Sequence, residues 1–201
     1  MIILECEQLS PEWFQARAGI PSSSKFSDII TSTGKRTTGT ARQKYLNTLA
    51  GEAVIGEKVE TFQNYAMRTG VERESEARDY YSLITGMEVQ EVGFCMNNNK
   101  EYGASPDGLI GEDGLLEIKC PQIATQTEYL LSNAVPKTYV PQVQGQLFVT
   151  GREWLDFVSY YPGMNTLIVR VLPDLEFHKK LAVELSLFVE ELKTIVKKIG
   201  G

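Results

Sequence analysis

Residues 105–121 read SPDGLIGEDGLLEIKCP, and the fold turns on how this stretch is read. Asp107 stands just ahead of a short apolar run, Leu109-Ile110. Gly111-Glu112-Asp113-Gly114 follows, with the glycine and aspartate content of a hairpin turn. A second apolar run, Leu115 to Cys120, carries Glu117 and Lys119. Side chains alternate across a strand, so Glu117 and Lys119 project from one face and Ile118 from the other. A hairpin brings Asp107 back beside them. Two carboxylates and an ammonium at one sheet end suit a magnesium-dependent phosphodiester hydrolase, because Mg2+ takes hard oxygen ligands and a reacting phosphate needs positive charge. Asp, Glu and Lys are common residues, however, and the same pattern suits an exposed hairpin with an ordinary cross-strand Glu/Lys pair. The local pattern leaves both readings open.

The rest of the 201 residues narrows the choice. With 42% apolar and 23% charged residues, the composition is that of an ordinary globular protein, and one domain over residues 1–201 is expected. No apolar run approaches the ~18 residues of a membrane span. The opening MIILECE has neither a basic flank nor a long apolar core, so no secretory leader is expected. Cys6, Cys95 and Cys120 are widely spaced and lack any zinc-ligand rhythm, which fits reduced thiols and a cytoplasmic location. His178 is the only histidine, which removes chemistry that needs a histidine pair and leaves it a surface or packing role. The net charge of −6 speaks against non-specific coating of nucleic acid. Its distribution is uneven. Residues 13–45 hold Arg17, Lys25, Lys35, Arg36, Arg42 and Lys44 against Asp28 alone, whereas residues 51–128 hold fifteen acidic and six basic residues. A basic entrance to an acidic, metal-holding interior is one reading of this asymmetry, and two solvated faces are the other.

Along the chain, Ser10-Pro11-Glu12 has the N-cap, first-turn proline and acidic residue of a helix start, and the helix is expected to end at Gly19. Ser22-Ser23-Ser24 offers a cap for a short helix through Ile30. Its hydroxyl and amide groups, with Arg17, would make a phosphate cradle. Residues 31–40 read as a basic loop. Helical periodicity predicts helices over 41–57, 65–85, 123–132, 139–150 and 174–199. Glu74 and Arg78, four apart, are expected to pair on the second of these. Strands are expected over 88–95, 102–104, 154–161 and 166–172, besides the hairpin. The class is α/β or α+β, a central mixed sheet of about five strands flanked by helices.

Five segments together resemble the bacteriophage lambda exonuclease family (YqaJ-type viral recombinases), within the PD-(D/E)xK nucleases. They are EWFQARAGIPSSSKF at 12–26, GVERESEARDYY at 70–81, ASPDGL at 104–109, LEIKCP at 116–121 and PQVQGQLFVTG at 141–151. They run in the family's order and together span most of the chain, from residue 12 to residue 151. The resemblance implies a restriction-endonuclease-like core and a processive 5′→3′ exonuclease on double-stranded DNA. It would release 5′-mononucleotides and leave a 3′ overhang for strand annealing. It also implies a ring-shaped homotrimer and a single-strand annealing partner. By motif, Asp107 and Glu117 match the metal-binding carboxylates, with the main-chain oxygen of Ile118 beside them. Lys119 matches the catalytic lysine, and Glu74 an assisting acid. The implied cofactor is Mg2+, one or two ions per site, with Mn2+ as a substitute. Arg17, Ser24, Ser105 and Gln144 match a pocket for the 5′-phosphate. Trp13 and Met67 fall where the family contacts the DNA end, and Lys25, Lys35, Arg36 and Arg42 are further candidates for DNA contact. The sequence departs from the family at Pro21-Ser22-Ser23, which leaves open which serine grips the phosphate. The same core could serve as an endonuclease or a single-strand exonuclease. A non-catalytic DNA-end-binding recombination module is the third alternative, against which the intact Asp107/Glu117/Lys119 set argues.

Overall fold

The hairpin forms as the sequence predicts. Strand β5 (Gly108–Ile110) pairs antiparallel with β6 (Gly114–Lys119), with Gly108 opposite Leu116 and Ile110 opposite Gly114. Gly111 turns the chain at a φ of 54°, a left-handed value glycine adopts without a Cβ clash. The computed structural model describes residues 1–59 and 65–200, with backbone alone over 65–72.

Strand β6 lies at the centre of a five-stranded sheet. Val89–Gln90 (β2) pairs with β5 on one side, and Trp154–Ser159 (β7) pairs parallel with β6 on the other. Leu167–Val171 (β8) closes the order β2-β5-β6-β7-β8. Parallel neighbours need a crossover. Helices α4 (Ile123–Ser132) and α5 (Val140–Thr150) supply it between β6 and β7.

Both faces of the sheet are covered, which is why β6 reads as a nearly continuous apolar run rather than as an alternating one. On one face Leu115, Leu155 and Phe157 pack with Val143 and Leu147 of α5. Helices α2 (Thr40–Ile55) and α6 (Leu175–Ile199) extend the same core through Leu46, Leu49, Leu181, Leu185 and Phe188. On the other face Leu116, Ile118 and Val158 meet Ala77 and Tyr81 of α3 (Tyr65–Thr85). Among the described residues, no helix is long and apolar enough to cross a membrane.

One expectation fails. Residues 88–95 do not form one strand. Their first part is β2, while Phe94–Met96 (β3) joins a separate three-stranded sheet, between Ile2–Leu4 (β1) and Gly103–Ala104 (β4). The break comes at Gly93, where a Cβ would lie 2.4 Å from the main-chain oxygen of Cys6. The N-terminal segment thus crosses the chain at this point, and no local pattern announces that approach.

Two short elements set the approach to the sheet end. Helix α1 (Pro11–Arg17) is capped by Ser10, whose side chain accepts from the Trp13 amide, as predicted. The expected helix at 22–30 is a 3₁₀ turn, Ser23–Asp28, and Ser22 caps it without a side-chain hydrogen bond. Gly145 of α5 lets this turn come close, since a Cβ there would meet the Phe26 ring at 2.4 Å.

Candidate active site

Asp107 precedes β5, and its amide donates to Leu116 O at 3.0 Å, which extends the hairpin by one bond. Its carboxylate turns inward and accepts from the Ile118 amide at 2.6 Å. The N–H and C=O of one strand residue point to the same side. Ile118 O therefore faces the Asp107 side, where β5 has already ended and offers no ladder partner. Glu117 and Lys119 emerge on the α5 face, and the Lys119 ammonium donates to Glu117 Oε1.

Glu117 is buried, yet both its oxygens are satisfied. Gln142 of α5 donates to Oε1 and Gln146 to Oε2, each at 2.5 Å. Lys119 also sits 5.1 Å from the centroid of the Tyr139 ring. From the opposite face, Arg78 of α3 donates to Glu74 at 3.0 Å and to Asp107 O at 3.2 Å, and it pairs with Glu91 at 2.9 Å. The predicted Glu74–Arg78 pair exists, but as a brace between α3 and the hairpin rather than as a solvent bridge.

Three carboxylates thus lie within electrostatic reach of one another. Burial first, then Glu117 and Glu74, push Asp107 well above the usual carboxylate range. Burial likewise raises Glu74, partly offset by Arg78. For Lys119, burial acts downward, but Glu117 and Asp107 outweigh it and hold the ammonium above its ordinary value. Among the described residues no three acidic, histidine or cysteine side chains stand at ligating spacing.

A second cluster lies two residues up the chain. Ser105 Oγ accepts from Trp13 Nε1 at 3.0 Å and from Arg17 Nη1 at 3.2 Å. Arg17 Nη2 donates to Ser22 Oγ at 3.1 Å, and Ser22 shares a hydrogen with Ser24 across 3.3 Å. The Arg17 guanidinium rests 3.8 Å from the Trp13 ring, and its Nε is buried without a partner. Burial pulls Arg17 down to about 10, so it stays charged at neutral pH. Tyr45 of α2 accepts from the Ser22 amide at 3.0 Å. Gly19, at a φ of 68°, lets α2 approach, since a Cβ there would lie 2.7 Å from that of Ala53. One cation and three hydroxyls are therefore gathered in one hydrogen-bonded cluster. Gln8, which the sequence did not single out, ties Pro106 O and Val92 O at 2.9 Å each and so fixes the link from this pocket to Asp107.

Other predicted residues stand elsewhere. Gln144 lies apart from both clusters: it donates to Leu172 O and accepts from the Asp174 amide, both at 2.9 Å. It is Gln142 and Gln146, one helical turn apart, that face Glu117, and Gln144 falls on the far side of α5. Trp13 is buried rather than presented to a DNA end. Arg42 is buried in a two-pronged pair with Glu191 of α6, at 2.8 and 3.0 Å. Arg36 pairs with Glu184 at 2.6 Å. The cationic stretch therefore ties down α6 through Arg36 and Arg42. Lys25, 3.7 Å from Asp28, and Lys35 are exposed. The Met67 side chain lies outside the described residues.

Residues 12–153 match the YqaJ-like viral recombinase domain, a span that includes both clusters. The alkaline exonuclease LHK-Exo from Laribacter hongkongensis, one of whose structures is a complex with dAMP, is 34% identical. Its TM-score is 0.86 over 94% of this chain and 96% of that one. A phage related exonuclease from Haemophilus somnus 129PT, 15% identical, shares the fold with a TM-score of 0.69 over 90% of this chain and 96% of its own. No curated protein sequence matches. By its matched domain and its fold, the chain belongs to the YqaJ-like viral recombinase family, in keeping with the resemblance of its motifs to lambda exonuclease.

Proposed function

We propose that the protein is a Mg2+-dependent exonuclease that degrades the 5′-ended strand of duplex DNA processively. It releases 5′-mononucleotides and leaves a 3′ overhang for a single-strand annealing partner. The proposed assembly is a homotrimeric ring around the DNA. The observation that carries this reading is the junction of two sites by one short link. The anion pocket at Ser105 and the carboxylates at Asp107 are two residues apart, about 7 Å along an extended chain.

The donor set fits a hard divalent cation. Asp107, Glu117 and the main-chain carbonyl of Ile118 are all oxygen donors, and the crowding that raises Asp107 is what a cation relieves. These three would hold one or two Mg2+ ions, with Mn2+ as a substitute. When bound, such an ion supplies Lewis-acid charge at the phosphate and activates water. Arg17 with Ser22, Ser24 and Ser105 grips the terminal 5′-phosphate, which places the following phosphodiester over the carboxylates. Lys119 offsets the charge that develops there. Gln142 and Gln146 hold Glu117 in orientation. Cleavage of the P–O3′ bond leaves the phosphate on the shortened strand, so each cut renews the group that Arg17 binds. Forward drive follows from that renewal.

With Mg2+, the protein is expected to degrade linear duplex and to spare covalently closed circles. Lys119→Ala is expected to lose about a hundredfold in rate, the scale of removing one charge-stabilising donor. Cutting of closed circles would make the enzyme an endonuclease. Undiminished digestion by Lys119→Ala would remove the assigned site.

A further inference from the structure

Ser105 Oγ receives two N–H groups, from Trp13 Nε1 and Arg17 Nη1. A serine hydroxyl has two acceptor positions and one donor. With both acceptor positions taken, the O–H can only donate. Arg17 alone would occupy one lone pair and leave the hydroxyl free to present either its proton or its other lone pair. The indole N–H removes that choice.

Trp13 is itself fixed. Its ring is 8% exposed, and Nε1 also donates to Gly93 O at 3.1 Å. Its amide is bound by Ser10, and Phe14 stands edge-on at 5.0 Å. Its ring supports Arg17 from below. A side chain so enclosed does not stack on a DNA base.

We propose that Trp13 is a positioning residue for the 5′-phosphate, fixing the Ser105 hydroxyl as a donor and the Arg17 guanidinium as a flat cation above its ring. The inference rests on reading this pocket as a phosphate site. A phosphate dianion only accepts hydrogen bonds, whereas a 5′-hydroxyl both donates and accepts. A Ser105 hydroxyl fixed as a donor beside the Arg17 cation therefore favours the phosphorylated end.

The test compares digestion of 5′-phosphorylated and 5′-hydroxyl linear duplexes by the wild type, Trp13→Phe, Ser105→Ala and the double variant. The wild type is expected to prefer the phosphorylated end. Trp13→Phe keeps a ring beneath Arg17 and loses the N–H, and is expected to lower that preference about tenfold, the scale of one hydrogen bond to a charged group. Because Trp13 acts through the Ser105 hydroxyl, the double variant is expected to fall no further than Ser105→Ala alone. A full preference in Trp13→Phe, or losses that multiply in the double variant, would overturn the proposal. A wild type indifferent to phosphorylation would overturn the phosphate reading and this inference with it. Should Trp13→Phe melt far below the wild type, Ser105→Cys takes its place. The thiol fills the same space but donates poorly, so the preference is expected to fall; its retention would contradict the proposal.

Discussion

Asp107 is where stability and the proposed chemistry pull apart. Its carboxylate lies within electrostatic reach of Glu117 and Glu74, and burial and those charges disfavour its ionised form in the fold. A carboxyl raised in this way favours the folded state while protonated, and that contribution is lost as pH rises above the ordinary carboxylate range. Asp107→Asn can still accept from the Ile118 amide but carries no charge. It is expected to abolish digestion while raising the melting temperature in EDTA by roughly 2–4 °C, equivalent to about 1 kcal/mol. Mg2+ is expected to raise the melting temperature of the wild type and not of Asp107→Asn. A variant less stable than the wild type in EDTA would contradict the crowding described. At this scale the sequence was informative where chemistry and spacing coincide. Asp107, Glu117 and Lys119 are legible because strand alternation fixes their faces. The choice among Gln142, Gln144 and Gln146 was not, because three alternate glutamines on one helix are distinguished only by which side of α5 meets β6.

The two outermost helices on the α5 side answer for the cationic residues. Arg42 bridges α2 and α6 through Glu191, with its guanidinium 5.1 Å from the Phe188 ring. Arg42→Leu is expected to destabilise the fold by about 1–3 kcal/mol, since it leaves the partly exposed Glu191 unpaired. It is expected to leave the salt dependence of DNA binding unchanged. Lys35→Ala is expected to do the reverse, reducing the slope of log K against log salt by about one while hardly moving the melting temperature. An Arg42 variant that reduced the slope would return this residue to the DNA-contacting set. On α6, His178 stands edge-on to Phe148 of α5 at 5.5 Å, and burial lowers its affinity for a proton. The unfolded chain therefore takes up that proton first. The contribution of neutral His178 is complete above the ordinary histidine range and is lost as pH falls through it. His178→Leu is expected to lose less stability than the wild type between about pH 7.5 and 5.5, read by denaturant melts. An equal loss would show that His178 is not the titrating group. Helices α3 and α4 run over the residues their periodicity predicted, 65–85 and 123–132, because their patterns are local. The break of 88–95 into β2 and β3 was hidden, because the N-terminal strand that recruits β3 lies some ninety residues away.

Across the molecule, the two clusters draw on segments that are distant in sequence. Arg17 comes from α1, Ser22 and Ser24 from the 3₁₀ turn, Glu74 from α3, Ser105 to Lys119 from the hairpin, and Gln142 and Gln146 from α5. The sheet and its helices exist in that arrangement largely through burial of Leu115, Phe157, Leu147 and Phe188 on one face and Tyr81, Leu116 and Val158 on the other. The five-stranded sheet was legible from alternating and apolar runs. The two-helix crossover between β6 and β7 suits their parallel pairing, whereas the place of β6 at the centre of the sheet was not legible. The pocket's brace at Gln8 and the burial of Trp13 depend on close approaches that no periodicity encodes. In the proposed function, one pocket selects a 5′-phosphorylated end and the adjoining carboxylates cut beside it. The most direct measurement is digestion of linear duplex, 5′-phosphorylated or 5′-hydroxyl and labelled at either end of one strand, in Mg2+ or EDTA. With Mg2+, 5′-mononucleotides are expected from the 5′ end first, faster when that end is phosphorylated, and EDTA is expected to stop the reaction. Release of the 3′ label first, or equal rates on both kinds of 5′ end, would contradict the proposed function.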